Sequence, residues 1–169
     1  PIGSSPLGEV AVRSRRETSE PRAVVVVSDH TRPVPYWGED GLIVPLLETL
    51  DRAGYPEEAI TVLIGAGSHR NMDPEEIEEM LGLEAYGFGG VRVENHEYAN
   101  PDHLTDLGRT ERGTPVQVNR RYLEADLKIV TGLVESHFMA GASGGRKGIC
   151  PGIVGKDTLT AFHGADMLS

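Results

Sequence analysis

The chain has one cysteine, Cys150, in 169 residues, which excludes an internal disulfide and fits a reducing compartment. Aromatic residues make up only 5% and there is a single tryptophan, so any core must be aliphatic. Basic residues are outnumbered, 16 Lys and Arg against 26 Asp and Glu, for a net charge of −10. That balance argues against nucleic acid or an anionic membrane surface as partner. No apolar run reaches 18 residues and no signal-peptide pattern is present, so a cytoplasmic location is expected. The first residue is not Met, which suggests a piece of a longer protein.

What the chain does have is aliphatic runs, each followed by a polar loop. Arg22–Val27 and Ala59–Ile64 read as buried parallel strands. Val91–Asn95, Pro115–Val118 and Ala125–Thr131 are further strand candidates. Helical spacing over Leu42–Ala53 ends at Gly54, a C-cap signal. Asp73-Pro74 marks a helix start running to about Leu81, and Asp157 is the expected N-cap of a last helix reaching His163. Arg120–Glu124 reads as a turn or short helix. The order β-α-β-α-β-β-β-loop-α implies an α/β fold, a Rossmann-like parallel sheet flanked by helices. Residues 1–20 are expected to be an irregular lead-in and 21–169 an α/β cofactor-binding domain.

Such sheets bind ligands at the carboxyl ends of their strands. Three loops there carry unusual residues: Asp29 and Arg32, His69 and Arg70, and His137 with Lys147. Arg32 could meet a carboxylate with its planar fork, or pair with Asp29 to shape the loop. Gly65-Ala66-Gly67 lacks the third glycine of a dinucleotide fingerprint. Gly141–Lys147 looks superficially like a phosphate loop. However, Arg146 precedes the lysine where a glycine belongs, and Gly148 replaces the Ser/Thr that would hold magnesium. Ser143, Gly144, Gly145 and Arg146 could form an anion nest, and Lys147 is either a solvated turn residue or a covalent anchor. His163 is a candidate metal ligand or a structural histidine, and His96 and His103 read as surface or second-layer residues. Cys150, just before Pro151, reads as a small buried hydrophobe.

Four segments taken together, Ser28–Pro33, Gly67–Arg70, Glu135–Phe138 with Ser143–Lys147, and Phe162-His163, resemble the lactate racemase family, the nickel-pincer-nucleotide enzymes. The resemblance implies an isomerase of two α/β domains, of which this chain is the N-terminal one. The C-terminal domain would be absent and the isolated fragment inactive. It implies a nickel pyridinium-3,5-bisthiocarboxylic acid mononucleotide tethered at Lys147, with His163 as the protein ligand to nickel. By the same resemblance His69 and His137 are the catalytic acid and base, and Asp29 and Arg32 bind substrate. The reaction would be racemisation of lactate or a related 2-hydroxy acid by reversible hydride transfer to the cofactor, through a planar 2-keto acid. Met139 stands where the lactate enzymes commonly carry a bulky aromatic, which leaves the substrate's side chain open. The alternative is a non-catalytic anion- or nucleotide-binding α/β module.

Overall fold

In a computed structural model, the structure describes residues 2–85, 87–138 and 140–164. Met139, flagged above for substrate choice, lies outside the described residues. Four parallel strands form the central sheet: β1 (Ala23–Val27), β2 (Ile60–Ile64), β3 (Arg92–Asn95) and β6 (Leu127–Val130), in the order β3-β2-β1-β6. Every residue of β1 is buried, because the strand is central and covered on both faces. Ala23, Val25 and Val27 face one core with Ile60, Val62 and Ile64, under α2 (Ile43–Arg52) and α3 (Pro74–Leu81). Val24, Val26 and Leu63 face the other, with Ala125, Ile153, Val154 and Leu159. The α/β reading and the two-sided burial of the valine run both hold.

The α3 start follows from local chemistry. Asp73 accepts the Glu76 N–H and the Glu76 carboxylate accepts the Asp73 N–H, a complete capping box with Pro74 in the first turn. Gly82 closes the helix at φ 59°.

Several expectations change. The lead-in is not irregular throughout: Leu7–Arg16 forms α1. Leu7, Val10 and Ala11 share one face, Ala11 is fully buried against the core, and Arg13, Arg15 and Arg16 sit in the last turn, where cations suit the helix dipole. Pro115–Asn119 (β5) is not in the parallel sheet but pairs antiparallel with Leu104–Arg109 (β4), a strand the sequence reading lacks. α4 (Arg120–Glu124) is a helix capped by the Asn119 side chain. The last helix, α6 (Lys156–Phe162), begins earlier, with Gly155 rather than Asp157 as N-cap, two residues upstream. A Cβ at Gly155 would lie 2.7 Å from Gln117 Cβ, an atom fixed to the β5 backbone, so glycine suits the point where the helix start crosses β5. Asp157 instead sits in the first turn, favourable to the dipole.

His96 is not a surface residue. It is 1% exposed; its Nε2–H donates to Val154 O at 2.9 Å and its Nδ1 accepts from Asn119 Nδ2 at 3.0 Å. It joins the end of the parallel sheet to the segment leading into α6. Burial lowers its pKa, against the raising effect of the Val154 contact.

Candidate functional site

The strand order reverses at β1: the chain runs outward to β2 and β3, then returns to place β6 on the other flank of β1. The loops after β1, β2 and β6 are therefore neighbours, at the place where open α/β sheets bind ligands. A cleft of about 280 Å³ opens there. Asp29, Arg32, His69, His137, Lys147 and His163 all line it, so the structure brings these six sequence candidates together. Ser143 and Gly144 also line it, whereas Gly145 and Arg146 do not, and Arg146 is exposed.

Asp29 does not pair with Arg32. Its carboxylate, 4% exposed, accepts His69 Nδ1–H at 2.6 Å, the Thr31 hydroxyl at 2.6 Å and the Thr31 N–H at 3.2 Å. Burial alone would raise the Asp29 pKa. The hydrogen bonds from Thr31 and His69, and the charge of His69, outweigh it, and the carboxyl is held below its usual value. With Nδ1 committed as donor, neutral His69 presents the lone pair of Nε2. Arg32 forms no ion pair among the described residues, which leaves its guanidinium available at the cleft.

Arg70 is turned to a different task. Its fork grips Glu76 at 2.7 and 2.5 Å and holds that carboxyl at about 2, which fastens the His69 loop to the cap of α3.

His137 lies in a tight ribbon, β7 (Ser136–His137) against β8 (Gly141–Ala142). Its ring stacks on Phe138 with centroids 5.4 Å apart, and its Nδ1 accepts the Ala140 N–H at 3.2 Å. Desolvation, then the positive charges of Lys147 and Arg32, lower its pKa. Lys147 is lowered likewise, by desolvation and then by Arg32. A lysine so placed has more neutral amine than a solvated one, and the neutral amine is the nucleophile.

Ser143 is 8% exposed and works for the loop. Its hydroxyl donates to Leu133 O at 2.7 Å and accepts the Glu135 N–H at 2.9 Å. Gly144 and Gly145 carry positive φ of 68° and 48° and lead into α5 (Arg146–Ile149), which presents Lys147. The glycines behind the lysine are packing necessities. A Cβ on Gly152 would sit 2.3 Å from Gly148 O, and one on Gly148 would sit 2.7 Å from Val130 Cγ1. Gly67 N–H donates to Gly152 O at 2.9 Å, which locks the His69 loop to the Lys147 loop. Cys150, half-buried against the second core, has its thiol pKa raised by burial.

His163 is exposed at the end of α6. Its Nδ1–H donates to Leu159 O at 3.1 Å, so neutral His163 turns the Nε2 lone pair outward. Among the described residues no group of three or more His, Cys, Asp or Glu could hold a metal ion. No helix there is long and apolar enough to cross a membrane.

Sequence reasoning missed Tyr36 and Thr131, which sit where β1 and β6 part. The Tyr36 hydroxyl is 3.0 Å from Thr131 Oγ1, 95 residues away, and neither residue belongs to a recognisable motif.

Residues 1–169 match the family model described as the lactate racemase N-terminal domain. The chain is 33% identical over 169 residues to a lactate racemase of Lactiplantibacillus plantarum, covering 100% of this chain and 37% of that protein. It is 32% identical over 173 residues to a lactate racemase of Thermoanaerobacterium thermosaccharolyticum, covering 99% and 37%. The structure of the lactate racemase apoprotein from the latter organism superposes with a TM-score of 0.79 at 30% identity, over 98% of this chain and 37% of that one. A crystal structure of a Thermotoga maritima protein gives 0.64 at 28% identity, over 92% and 39%. The chain thus spans about 37% of the length of the lactate racemases it matches.

Proposed function

The chain belongs to the lactate racemase family as an N-terminal domain, and from that premise we propose that it is the cofactor-bearing half of a 2-hydroxy acid racemase. One observation carries the reading. Two histidines, a lysine of lowered pKa, an available arginine and a histidine with an outward Nε2 all line one cleft at the reversal of strand order.

The residues fit a nickel-pincer nucleotide. A metal held largely by its own cofactor asks little of the protein, and the described residues offer no ligand cage beyond His163. His163 Nε2 would bind the nickel, with the Leu159 carbonyl fixing the ring's tautomer. Lys147 would supply the amine for the covalent tether. When bound, such a cofactor would supply reversible hydride chemistry at the substrate carbon.

The chain's own groups would handle charge and protons. Arg32 would hold the substrate carboxylate by its fork. His69 Nε2 would take the hydroxyl proton, and the imidazolium so formed would be stabilised by Asp29 at 2.6 Å. Asp29 is thus better suited to orienting His69 than to touching substrate, because both its oxygens are already engaged. His137, whose pKa is lowered by desolvation and then by Lys147 and Arg32, would serve the opposite enantiomer.

The test is the full-length protein co-expressed with enzymes that make the cofactor. A mass adduct on Lys147, stoichiometric nickel and interconversion of the enantiomers of a 2-hydroxy acid are expected. Lys147→Ala should lose the adduct and keep the fold. An adduct surviving that substitution, or a loaded protein that racemises no member of a 2-hydroxy acid panel, would overturn the reading.

A further inference from the structure

Parallel strands that separate leave a backbone donor with no neighbour. At the end of β1, Val26 O still accepts the Thr131 N–H from the β6 side at 2.9 Å. Two residues on, the Ser28 N–H would look for the next carbonyl on the β6 side, but β6 ends at Val130 and the β1–β6 pairing stops at Val26. The Tyr36 hydroxyl takes its place, accepting the Ser28 N–H at 2.7 Å. Thr131 Oγ1 donates to Val26 O at 2.9 Å, so the tyrosine O–H is left to donate to Thr131 Oγ1 at 3.0 Å. The chain Ser28 N–H, Tyr36 O–H, Thr131 O–H, Val26 C=O thus closes the gap between the parting strands. Tyr36 is 1% exposed and part of the main core, so the hydroxyl is held firmly.

We propose that Tyr36 is a positioning residue of the cleft: its hydroxyl replaces the missing strand partner and fixes the Ser28-Asp29 turn so that Asp29 meets His69. The proposal rests on the reading of His69 as an acid–base group. Asp29 follows Ser28 directly, and its bond to His69 spans 40 positions in sequence between two separate loops. Small drift of the turn would be felt there first.

The protein contains its own control. Tyr55 is equally buried in the same core, and its hydroxyl has no hydrogen-bond partner among the described residues. Tyr36→Phe and Tyr55→Phe therefore make the same chemical change, one cutting the relay and one not.

The readout is the His69 tautomer in the cofactor-free full-length protein, from ring ¹⁵N shifts of histidine-labelled samples at a pH where the ring is neutral. Wild type should show the Nδ1–H form. Tyr36→Phe should move the Nδ1–H to Nε2–H ratio toward the free-imidazole value by about fivefold to tenfold, the shift expected from losing one ordinary hydrogen bond. Tyr55→Phe should leave it unchanged. An unchanged ratio in Tyr36→Phe, or an equal change in Tyr55→Phe, overturns the proposal. So does a wild type that lacks the Nδ1–H form. If Tyr36→Phe does not fold, Thr131→Val decides: it removes the hydroxyl's anchor and should shift the ratio in the same direction, and no shift overturns the proposal. Because no cofactor is present, failure of the racemase assay leaves this result standing, and failure here leaves that assay standing.

Discussion

Replacing Asp29 by Asn changes one charge and almost no volume, so its effects can be worked through from the geometry. The carboxylate receives three hydrogen bonds, two from Thr31 and one from His69. Bonds to a charged acceptor contribute about 1.5–3 kcal/mol each at most. Two offsets apply. The His69 side chain is half exposed, so water screens that contact. Removing the charge also relieves the desolvation of a group that is 4% exposed. The expected net loss is about 1–2 kcal/mol of stability, read by urea unfolding at pH 7.

The catalytic effect should be larger. An amide has no charge to stabilise imidazolium, and its NH₂ can turn to donate to His69 Nδ1, which moves the ring proton to Nε2. The base would then present an N–H to the substrate hydroxyl. A drop in kcat of about 10²–10⁴-fold is expected in the loaded full-length enzyme, the usual worth of a general base. The acid branch of stability should change too. The Asp29 pKa is lowered on folding, so its contribution is complete above the ordinary carboxylate pKa and is lost as pH falls through the folded value. Asp29→Asn should flatten stability against pH below about 4. An Asn variant with wild-type kcat in both directions would refute the pairing as a catalytic device.

Two further predictions concern the frame of the cleft. Gly152→Ala puts a Cβ 2.3 Å from Gly148 O, a backbone atom that cannot swing aside, so a loss of about 1–3 kcal/mol is expected by urea unfolding, with weaker attachment at Lys147. His96 is buried with a lowered pKa, so the unfolded chain binds its proton more readily. Stability should therefore fall as pH drops below about 6.5. In His96→Phe that slope should shrink between pH 6.5 and 5, while stability at pH 7 falls because Asn119 and the Val154 carbonyl lose their partner.

The parts of the fold that could be read from sequence are those whose signals are local. The valine run of β1 is buried on both faces, and Asp73-Pro74 with Glu76 carries its own cap. The cleft residues were legible as residue types at strand ends. What was hidden depends on partners distant in sequence. Asp29 has Arg32 as a close sequence neighbour but takes His69, which is 40 positions on. His96 sits in a polar stretch, and its burial is set by Asn119 and Val154. β4 consists mostly of exposed residues and exists only through pairing with β5, with a register shift between Asp106 and Arg109. α1 is short and charged, and its single fully buried residue is an alanine.

The two histidines of the cleft are not equivalent, and their difference bears on how attachment at Lys147 would act on the site. His69 is tied to a carboxylate, whereas His137 is lowered by desolvation first and then by the cations Lys147 and Arg32. Acylation of the Lys147 amine in a cofactor tether would abolish its positive charge. One of the two cations acting on His137 would then be gone, and its pKa should rise toward the ordinary imidazole value, while desolvation and Arg32 keep part of the depression. Attachment would thus also tune the histidine for proton exchange near neutral pH. Lys147→Met keeps the aliphatic stem and deletes the charge without any cofactor. In that variant the His137 titration, followed by histidine-selective NMR, should move upward from wild type and shift less with added salt. A His137 midpoint that stays where it is in wild type would show that Lys147 does not act on it through charge, and the proposed coupling between tether and base would fail.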